Sequence, residues 1–151
     1  MAGGKGKRKK VIGIYQKLQN QPQQFYQRNV KHFRQLRENT LQVQTPNHRL
    51  NLAFEWAKVA YDNLMVDNPD LGKGLLAGLG PSGNSGRPGF GWFFGGDAYI
   101  NMFSLNGYGV YQTVRDALAF TQQWQRDDGK MAHELSQAAA YLNWFEDYPY
   151  G

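Results

Sequence analysis

The chain has 151 residues, the length of one ordinary domain, with 41% hydrophobic and 15% aromatic residues. It contains no cysteine, which excludes disulfides and thiolate chemistry, and its apolar stretches are too short for a signal peptide or a membrane span. The formal net charge is +5, and five Lys or Arg residues fall within the first ten positions. The other 12 balance the 12 Asp and Glu residues, so residues 11–151 are formally neutral. A cytoplasmic location is the default expectation.

The N-terminal segment is predicted to be a basic, disordered tail that covers residues 1–21, because Gly and Lys dominate its first ten positions. Such a tail is either a solvated extension or an electrostatic arm for RNA, DNA or another anionic surface. Nucleic-acid binding is the less favoured interpretation, because the rest of the chain is neutral. Its aromatic residues also cluster with glycine rather than with Lys or Arg.

Helical periodicity dominates the next part of the chain. Residues 22–43 are predicted to form one helix, with Tyr26 and Phe33 on the same side. Thr45 and Pro46 are typical of the cap and the first position of a second helix. The apolar stripe of that helix steps by three and four residues and consists of Leu50, Phe54, Ala57, Tyr61 and Leu64.

An irregular region follows, because residues 67–96 contain ten glycines and three prolines without a sustained period. Helical periodicity returns at Asp97 and again over residues 110–124. A last helix is predicted after Gly129, with one apolar face made of Leu135, Ala139 and Leu142. No segment shows clear strand alternation. The sequence therefore predicts an all-α chain of about five helices joined as hairpins.

Two stretches imitate known motifs but lack the residues that the chemistry needs. GLGPSG, residues 78–83, fits the spacing of a dinucleotide loop, but Pro81 interrupts it, and a stretch rich in Ala and Leu precedes it where the motif needs a strand. HELSQ, residues 133–137, begins like a zinc-binding helix, but Gln137 stands where the second histidine must be. The sequence predicts neither a cofactor nor a metal ion.

One stretch, RPGFGWFFGGDAYIN (residues 87–101), combines aromatic rings and glycines with a carboxylate. Sugars present C–H faces that pack on rings and hydroxyls that bind carboxylates, so this composition suits a carbohydrate subsite. Two alternatives remain open. Asp97 is also suited to cap the following helix, and Trp92, Phe93 and Phe94 are also suited to fill a hydrophobic space between helices.

From about residue 22 onwards the chain resembles the N-terminal part of the catalytic domain of glycogen-debranching, amylo-α-1,6-glucosidase-like proteins, which are six-hairpin glycosidases. The resemblance is carried by NLAFEWAKVAYDNLMVDNPDLGKGLLAGLGPSG, RPGFGWFFGGDAYIN, QRDDGKMAHELSQ and WFEDYPYG. It implies that residues 22–151 form part of an (α/α)6 toroid. A complete toroid needs about twelve helices, so the chain is expected to be truncated and to self-associate through exposed helix faces.

The resemblance also implies a glycoside hydrolase that acts on α-glucans or α-glucosides, commonly with inversion by one carboxylic acid and one carboxylate. Asp97 and Glu134 are the catalytic candidates, and Trp92, Phe94, Asp97 and His133 are the candidates for sugar binding. Asp97 is expected to bind a sugar hydroxyl first and to act as a general acid only second. Glu134 is expected either at the rim of the site or as a carboxylate in the first turn of a helix.

The resemblance leaves two points open. Many relatives carry an arginine before the aspartate, whereas this chain has Gly96. The second catalytic carboxylate is expected beyond this chain. The alternative function is therefore a non-catalytic carbohydrate-binding or interaction module derived from such an enzyme.

Overall fold

A computed structural model describes residues 7–79, 90–137 and 142–144 of the chain. Within these residues the helices are α1 (Arg8–Asn20), α2 (Pro22–Glu38), α3 (His48–Leu64), α4 (Gly95–Tyr108) and α5 (Tyr111–Gln122). The strands are β1 (Met65–Asn68), β2 (Gly72–Leu75), β3 (Phe93–Phe94), β4 (Glu134–Leu135) and β5 (Leu142–Asn143). The chain divides into two compact units, Met1–Asn39 and Thr40–Gly151, which we call the N-terminal unit and the C-terminal unit.

The N-terminal unit contains α1 and α2. Helix α1 occupies most of the segment for which a disordered tail was expected, because Val11, Ile14 and Leu18 follow the helical spacing among good helix formers. Helix α2 begins at Pro22, the first residue of the predicted range 22–43, and ends at Glu38, five residues before the predicted end. Neither helix contains a fully buried residue. No helix in the described part of the chain is long and apolar enough to cross a membrane.

Helix α3 opens the regular structure of the C-terminal unit, and its cap differs from the predicted one. The side chain of Asn47 accepts hydrogen bonds from the backbone N–H groups of Arg49 and Leu50, so Asn47 is the cap. Thr45 instead binds the side chain of Asn51, with its hydroxyl 2.8 Å from Oδ1. The prediction of Thr45 as the cap was therefore wrong. The local pattern did not show that Thr45 binds the side chain of Asn51, six residues further along the chain.

Strands β1 and β2 form an antiparallel hairpin where the sequence suggested irregular structure. Met65 pairs with Leu75 and Asn68 pairs with Gly72. The Asn68 side chain closes the turn by accepting hydrogen bonds from the backbone N–H groups of Asp70 and Leu71. Residues 80–89 of the predicted irregular region lie outside the described residues.

Helices α4 and α5 form the predicted hairpin and contribute most of the core. Gly109 connects them with φ +99°, a left-handed conformation that ends α4 and favours glycine. The first core cluster consists of Leu75, Ala98, Met102, Leu105, Tyr108, Val114 and Ala117. The second joins strands and the end of α5 through Leu71, Leu76, Phe93, Phe120 and Leu135.

A three-stranded antiparallel sheet in the order β3-β4-β5 replaces the last predicted helix. Leu135 lies in β4 and Leu142 in β5, whereas Ala139 lies outside the described residues. Pairing with β3 satisfies backbone groups of β4, so tertiary context overrides the local helical pattern here. The all-α prediction is therefore corrected to a mostly helical fold with small antiparallel sheets.

Candidate functional site

The aromatic segment of residues 90–94 is held by backbone hydrogen bonds to the chain that follows β2. The N–H groups of Ala77 and Gly78 donate to the carbonyl oxygens of Trp92 and Phe90, at 3.1 and 3.0 Å. These bonds fix the direction of a segment that is rich in glycine. The rings are therefore presented from a supported backbone rather than from a free loop.

On its other side the segment pairs with β4. Phe94 lies opposite Glu134, and the N–H of Gly95 donates to the carbonyl oxygen of His133 at 2.8 Å. Residues that are about 40 positions apart in the sequence thus meet at one edge of the sheet. The structure brings together three of the five predicted site residues, which are Phe94, His133 and Glu134.

The rings of this segment fall into two groups. Phe93 is 5% exposed and packs against Phe120, with ring centroids 4.5 Å apart, so it is a core residue. Trp92 is 37% exposed and Phe90 54% exposed, and the Phe90 and Phe94 rings meet edge to face at 5.6 Å. A hydrophobic plug therefore describes Phe93, whereas Phe90 and Trp92 offer ring surface to solvent.

Asp97 is the third residue of α4, and its side chain is exposed. The cap position belongs to Phe94, where no side chain makes a capping hydrogen bond. The interpretation of Asp97 as the helix cap was therefore wrong. A carboxylate in the first turn is stabilised by the helix dipole. It follows Phe94 by one helical turn and so lies at the same end of α4 as the aromatic segment.

Glu134 is a half-buried strand residue rather than a first-turn helix residue, which corrects that alternative. The ring of His133 next to it stands edge-on to the ring of Phe94, with centroids 6.0 Å apart and an interplanar angle of 87°. The backbone N–H of His133 donates to the carbonyl oxygen of Asn143 at 2.9 Å. Strands on both sides therefore fix the backbone of β4 and of His133, which directly precedes it.

Gln137 is a residue of this region whose role the sequence did not reveal. Its side-chain amide donates to the carbonyl oxygen of Gly91 at 2.5 Å, and its own carbonyl accepts from the Asn68 side chain at 2.8 Å. Gln137 thereby ties the aromatic segment to the end of β4 and to the β1–β2 hairpin. The sequence contains no local signal for it, because both partners are more than 40 positions away.

Two cavities are lined by described residues of the C-terminal unit. The smaller, behind Phe93 and Phe94, has about 20 Å³, which is room for a single water molecule. Tyr99 follows Ala98 of the cavity wall on α4, and burial raises the pKa of its phenol. A cavity of this size has no room for a sugar ring.

The larger cavity has about 360 Å³ and contains none of the predicted site residues. Its polar wall includes Lys58, whose ammonium already has three oxygen partners. Burial, followed by the nearby Asp62 and Tyr61, raises the pKa of Tyr108 to about 12, so this phenol also stays neutral. Its lining consists of Leu41, Phe54, Ala57, Lys58, Tyr61, Ser104, Gly107 and Tyr108.

Comparisons with known proteins identify no relative. No family model, no curated protein and no solved structure matches the chain. In the part of the chain that the structure describes, no three His, Asp or Glu side chains form a group that could hold a metal ion. The function must therefore be inferred from the residues of the aromatic segment and their neighbours.

Proposed function

We propose that the chain is a segment of a glycoside hydrolase that acts on α-glucans or α-glucosides and uses the aromatic segment as its sugar subsite. The observation that carries the proposal is the pairing of Phe94 with Glu134. It places Phe94, the last residue of the aromatic segment, opposite a residue with a carboxylate on a backbone that is hydrogen-bonded on both sides. This combination is what recognition of a pyranose requires.

A pyranose ring would pack its C–H face on the exposed ring of Trp92 or Phe90. Its hydroxyl groups would then donate to the carboxylates of Asp97 and Glu134, and the imidazole of His133 would orient one of them. Charge-assisted hydrogen bonds of this kind are stronger than bonds between neutral groups. The rings provide affinity, and the carboxylates select the positions of the hydroxyl groups.

For hydrolysis by inversion, one carboxylic acid must protonate the leaving oxygen while a second carboxylate activates water. Asp97 and Glu134 remain the candidates for one of these roles, and Asp97 serves first as a ligand of a sugar hydroxyl. The other catalytic carboxylate would come from further hairpins of the toroid. The exposed Ile100 and Phe103 of α4, at 70% and 79%, support the idea that further protein, or a second copy of the chain, covers this helix.

A non-catalytic carbohydrate-binding module is the second candidate. It is favoured by the exposure of Asp97, because the carboxyl group of a general acid is normally shielded from water in its site. An exposed carboxylate next to exposed rings is sufficient for binding a sugar without cleaving it. The two candidates share the same subsite and differ only in turnover.

We expect isomaltose, maltotriose, panose or trehalose to change the tryptophan fluorescence of the purified chain in a saturable way. Trp92→Ala and Asp97→Asn should each weaken the apparent affinity by about tenfold or more, the equivalent of one lost interaction of about 1.4 kcal/mol. Trp56→Ala removes a tryptophan that is 64% exposed on α3 and should leave the affinity unchanged. Asp127→Asn, at another exposed carboxylate, is the matched control for Asp97.

Glucose released in the same samples separates the two candidates. Release that Asp97→Asn or Glu134→Gln abolishes would support the hydrolase, whereas saturable binding without release would support the binding module. A folded chain whose fluorescence responds to none of the four sugars would contradict both.

A further inference from the structure

The two units of the chain carry opposite net charges. The N-terminal unit, Met1–Asn39, contains ten of the 17 Lys and Arg residues but only one acidic residue, Glu38, which gives a formal charge of +9. The C-terminal unit contains the other seven basic residues and eleven acidic residues, which gives −4. Residues 11–151 are neutral only because the basic residues of the N-terminal unit offset the acidic residues of the C-terminal unit. The basic unit therefore extends beyond the first ten positions.

The basic side chains of this unit lie on its helices as well as in its first residues. On α2, Arg28, Lys31 and Arg34 are spaced by three residues, so they are neighbours along one ridge of the helix. All three are exposed, and none forms an ion pair within the described residues. Helix α1 has no acidic residue and adds Arg8, Lys9, Lys10 and Lys17, all exposed.

The remaining polar and aromatic side chains suit a nucleic acid. Residues 16–35 contain nine Gln or Asn residues, whose amides form hydrogen bonds to phosphates, sugars and base edges. Tyr15 and Tyr26 are 40% and 61% exposed, and exposed aromatic rings beside basic groups are the stacking surfaces of single-strand binders. Aromatic and basic residues are therefore interleaved in this unit.

A membrane surface fits the same charge less well. An interfacial helix needs one broad and continuous apolar face, whereas α1 offers only a stripe of the exposed Ile14, Tyr15 and Leu18, with Ile12 about 160° away from Ile14. On α2 the largest apolar side chains, Phe25, Phe33 and Leu36, are already half-buried. The apolar surface that could enter a bilayer is therefore limited to this stripe of α1.

We propose that the N-terminal unit binds the phosphates of single-stranded nucleic acid, with Arg28, Lys31 and Arg34 as the central contacts. This inference does not depend on the sugar subsite, because it concerns the other unit of the chain. Binding of this kind is electrostatic, shows little sequence preference and weakens steeply as the salt concentration rises.

The test is fluorescence anisotropy of labelled 20-nucleotide oligo-U and oligo-dT with the full chain, from about 50 to 200 mM salt. The variant Arg28→Gln/Lys31→Gln/Arg34→Gln should lose tenfold or more in affinity at the lowest salt. Its slope of log affinity against log salt should be less steep by about 2, since each single-strand phosphate contact contributes about 0.7. Tyr26→Ala should weaken binding without changing that slope.

The matched control is Arg49→Gln/Lys73→Gln/Arg115→Gln, which removes three exposed charges from the C-terminal unit and gives the same net charge. It should keep most of the affinity. Equal losses in the two triple variants, or no binding at 50 mM salt, would overturn the proposal. So would tighter binding to vesicles that contain phosphatidylserine than to either oligonucleotide.

Discussion

Gly95→Ala is expected to lower the free energy of unfolding by about 2 kcal/mol or more, the cost of forcing a methyl group into a packed site. A Cβ at position 95 would lie close against the backbone carbonyl oxygen of Ala132 and could not be relieved by rotation of a side chain. Helix propensity alone would favour alanine at this first position of α4. The contact with backbone decides the sign, because β3 and β4 would have to move apart.

The measurement is urea denaturation monitored by circular dichroism, with two glycine substitutions as controls. Gly91→Ala in the aromatic segment meets no atom within 4 Å and should change stability little. Gly107→Ala meets none either and lies inside α4, so it should stabilise the protein by about 0.5–1 kcal/mol. If Gly95→Ala behaved like Gly107→Ala, the close approach of β4 to the start of α4 would be wrong.

The same substitution links the fold to the proposed subsite. Separation of β3 from β4 would move Glu134 away from Phe94, because these residues are paired across the two strands. Sugar affinity should therefore fall in Gly95→Ala under conditions where the protein is still folded. It should be preserved in Gly107→Ala, whose site of change is at the other end of α4.

The helices of the C-terminal unit were predictable because their apolar residues recur at helical spacing over more than three turns. α4 and α5 and their hairpin follow from that spacing alone. The cap of α3 was misplaced by two residues because Thr45 and Asn47 are both good capping residues. Only the hydrogen bonds to Asn51 show that Thr45 is engaged elsewhere.

The strands were not predictable for a physical reason. β4 is two residues long, and its partner β3 lies about 40 positions earlier, so no local pattern can distinguish it from a frayed helix. Helix α1 was missed because its basic and glycine residues imitate a disordered tail, while Val11, Ile14 and Leu18 supply only a narrow stripe. For β4 and for α1, the local pattern of the observed element was weaker than the pattern of the structure that was predicted instead.

The candidate site divides in a similar way. Trp92, Phe94 and Asp97 were found within one short segment, because rings, glycines and a carboxylate in sequence are conspicuous. Only the resemblance to a glycosidase family led us to expect His133 and Glu134 near the aromatic segment. In the structure, the ring of His133 contacts the ring of Phe94, and Glu134 pairs with Phe94 across two strands. Gln137 was rejected as part of a zinc motif, yet its side chain holds the aromatic segment in place.

Lys58 is the other residue whose substitution should have a large effect. It lies on α3 one turn from Phe54 and Tyr61 of the predicted apolar stripe, yet it is charged and 2% exposed. Its ammonium donates to the hydroxyl of Thr40 at 3.1 Å and to the carbonyl oxygen of Leu41 at 3.0 Å, and it lies 2.9 Å from a carboxylate oxygen of Glu55. All three ammonium hydrogens therefore have acceptors, which makes burial of the charge tolerable.

Lys58→Met is expected to destabilise the chain by about 2–3 kcal/mol. Methionine keeps the apolar stem but removes the hydrogen bonds that Lys58 donates to the carbonyl oxygen of Leu41 and the hydroxyl of Thr40. The cost stays below that of a fully buried pair, because the side chain of Glu55 is 27% exposed and can be hydrated. Lys58→Arg should also destabilise, since a guanidinium group has more donors than this pocket has acceptors.

A double-mutant cycle with Glu55→Gln separates the contributions to this effect. If the hydrogen bonds of Lys58 to Thr40 and Leu41 dominate, Lys58→Met should lower the free energy of unfolding nearly as much in the Glu55→Gln background as in the original chain. The first residues of the C-terminal unit should then exchange amide hydrogen faster, because Lys58 attaches Thr40 and Leu41 to α3. Unchanged stability and unchanged exchange in Lys58→Met would show that this buried ammonium does not hold the segment. The hydrogen bond from the backbone N–H of Leu41 to the carbonyl oxygen of Tyr108, at 2.9 Å, would then be the contact that fixes Leu41 at the wall of the larger cavity.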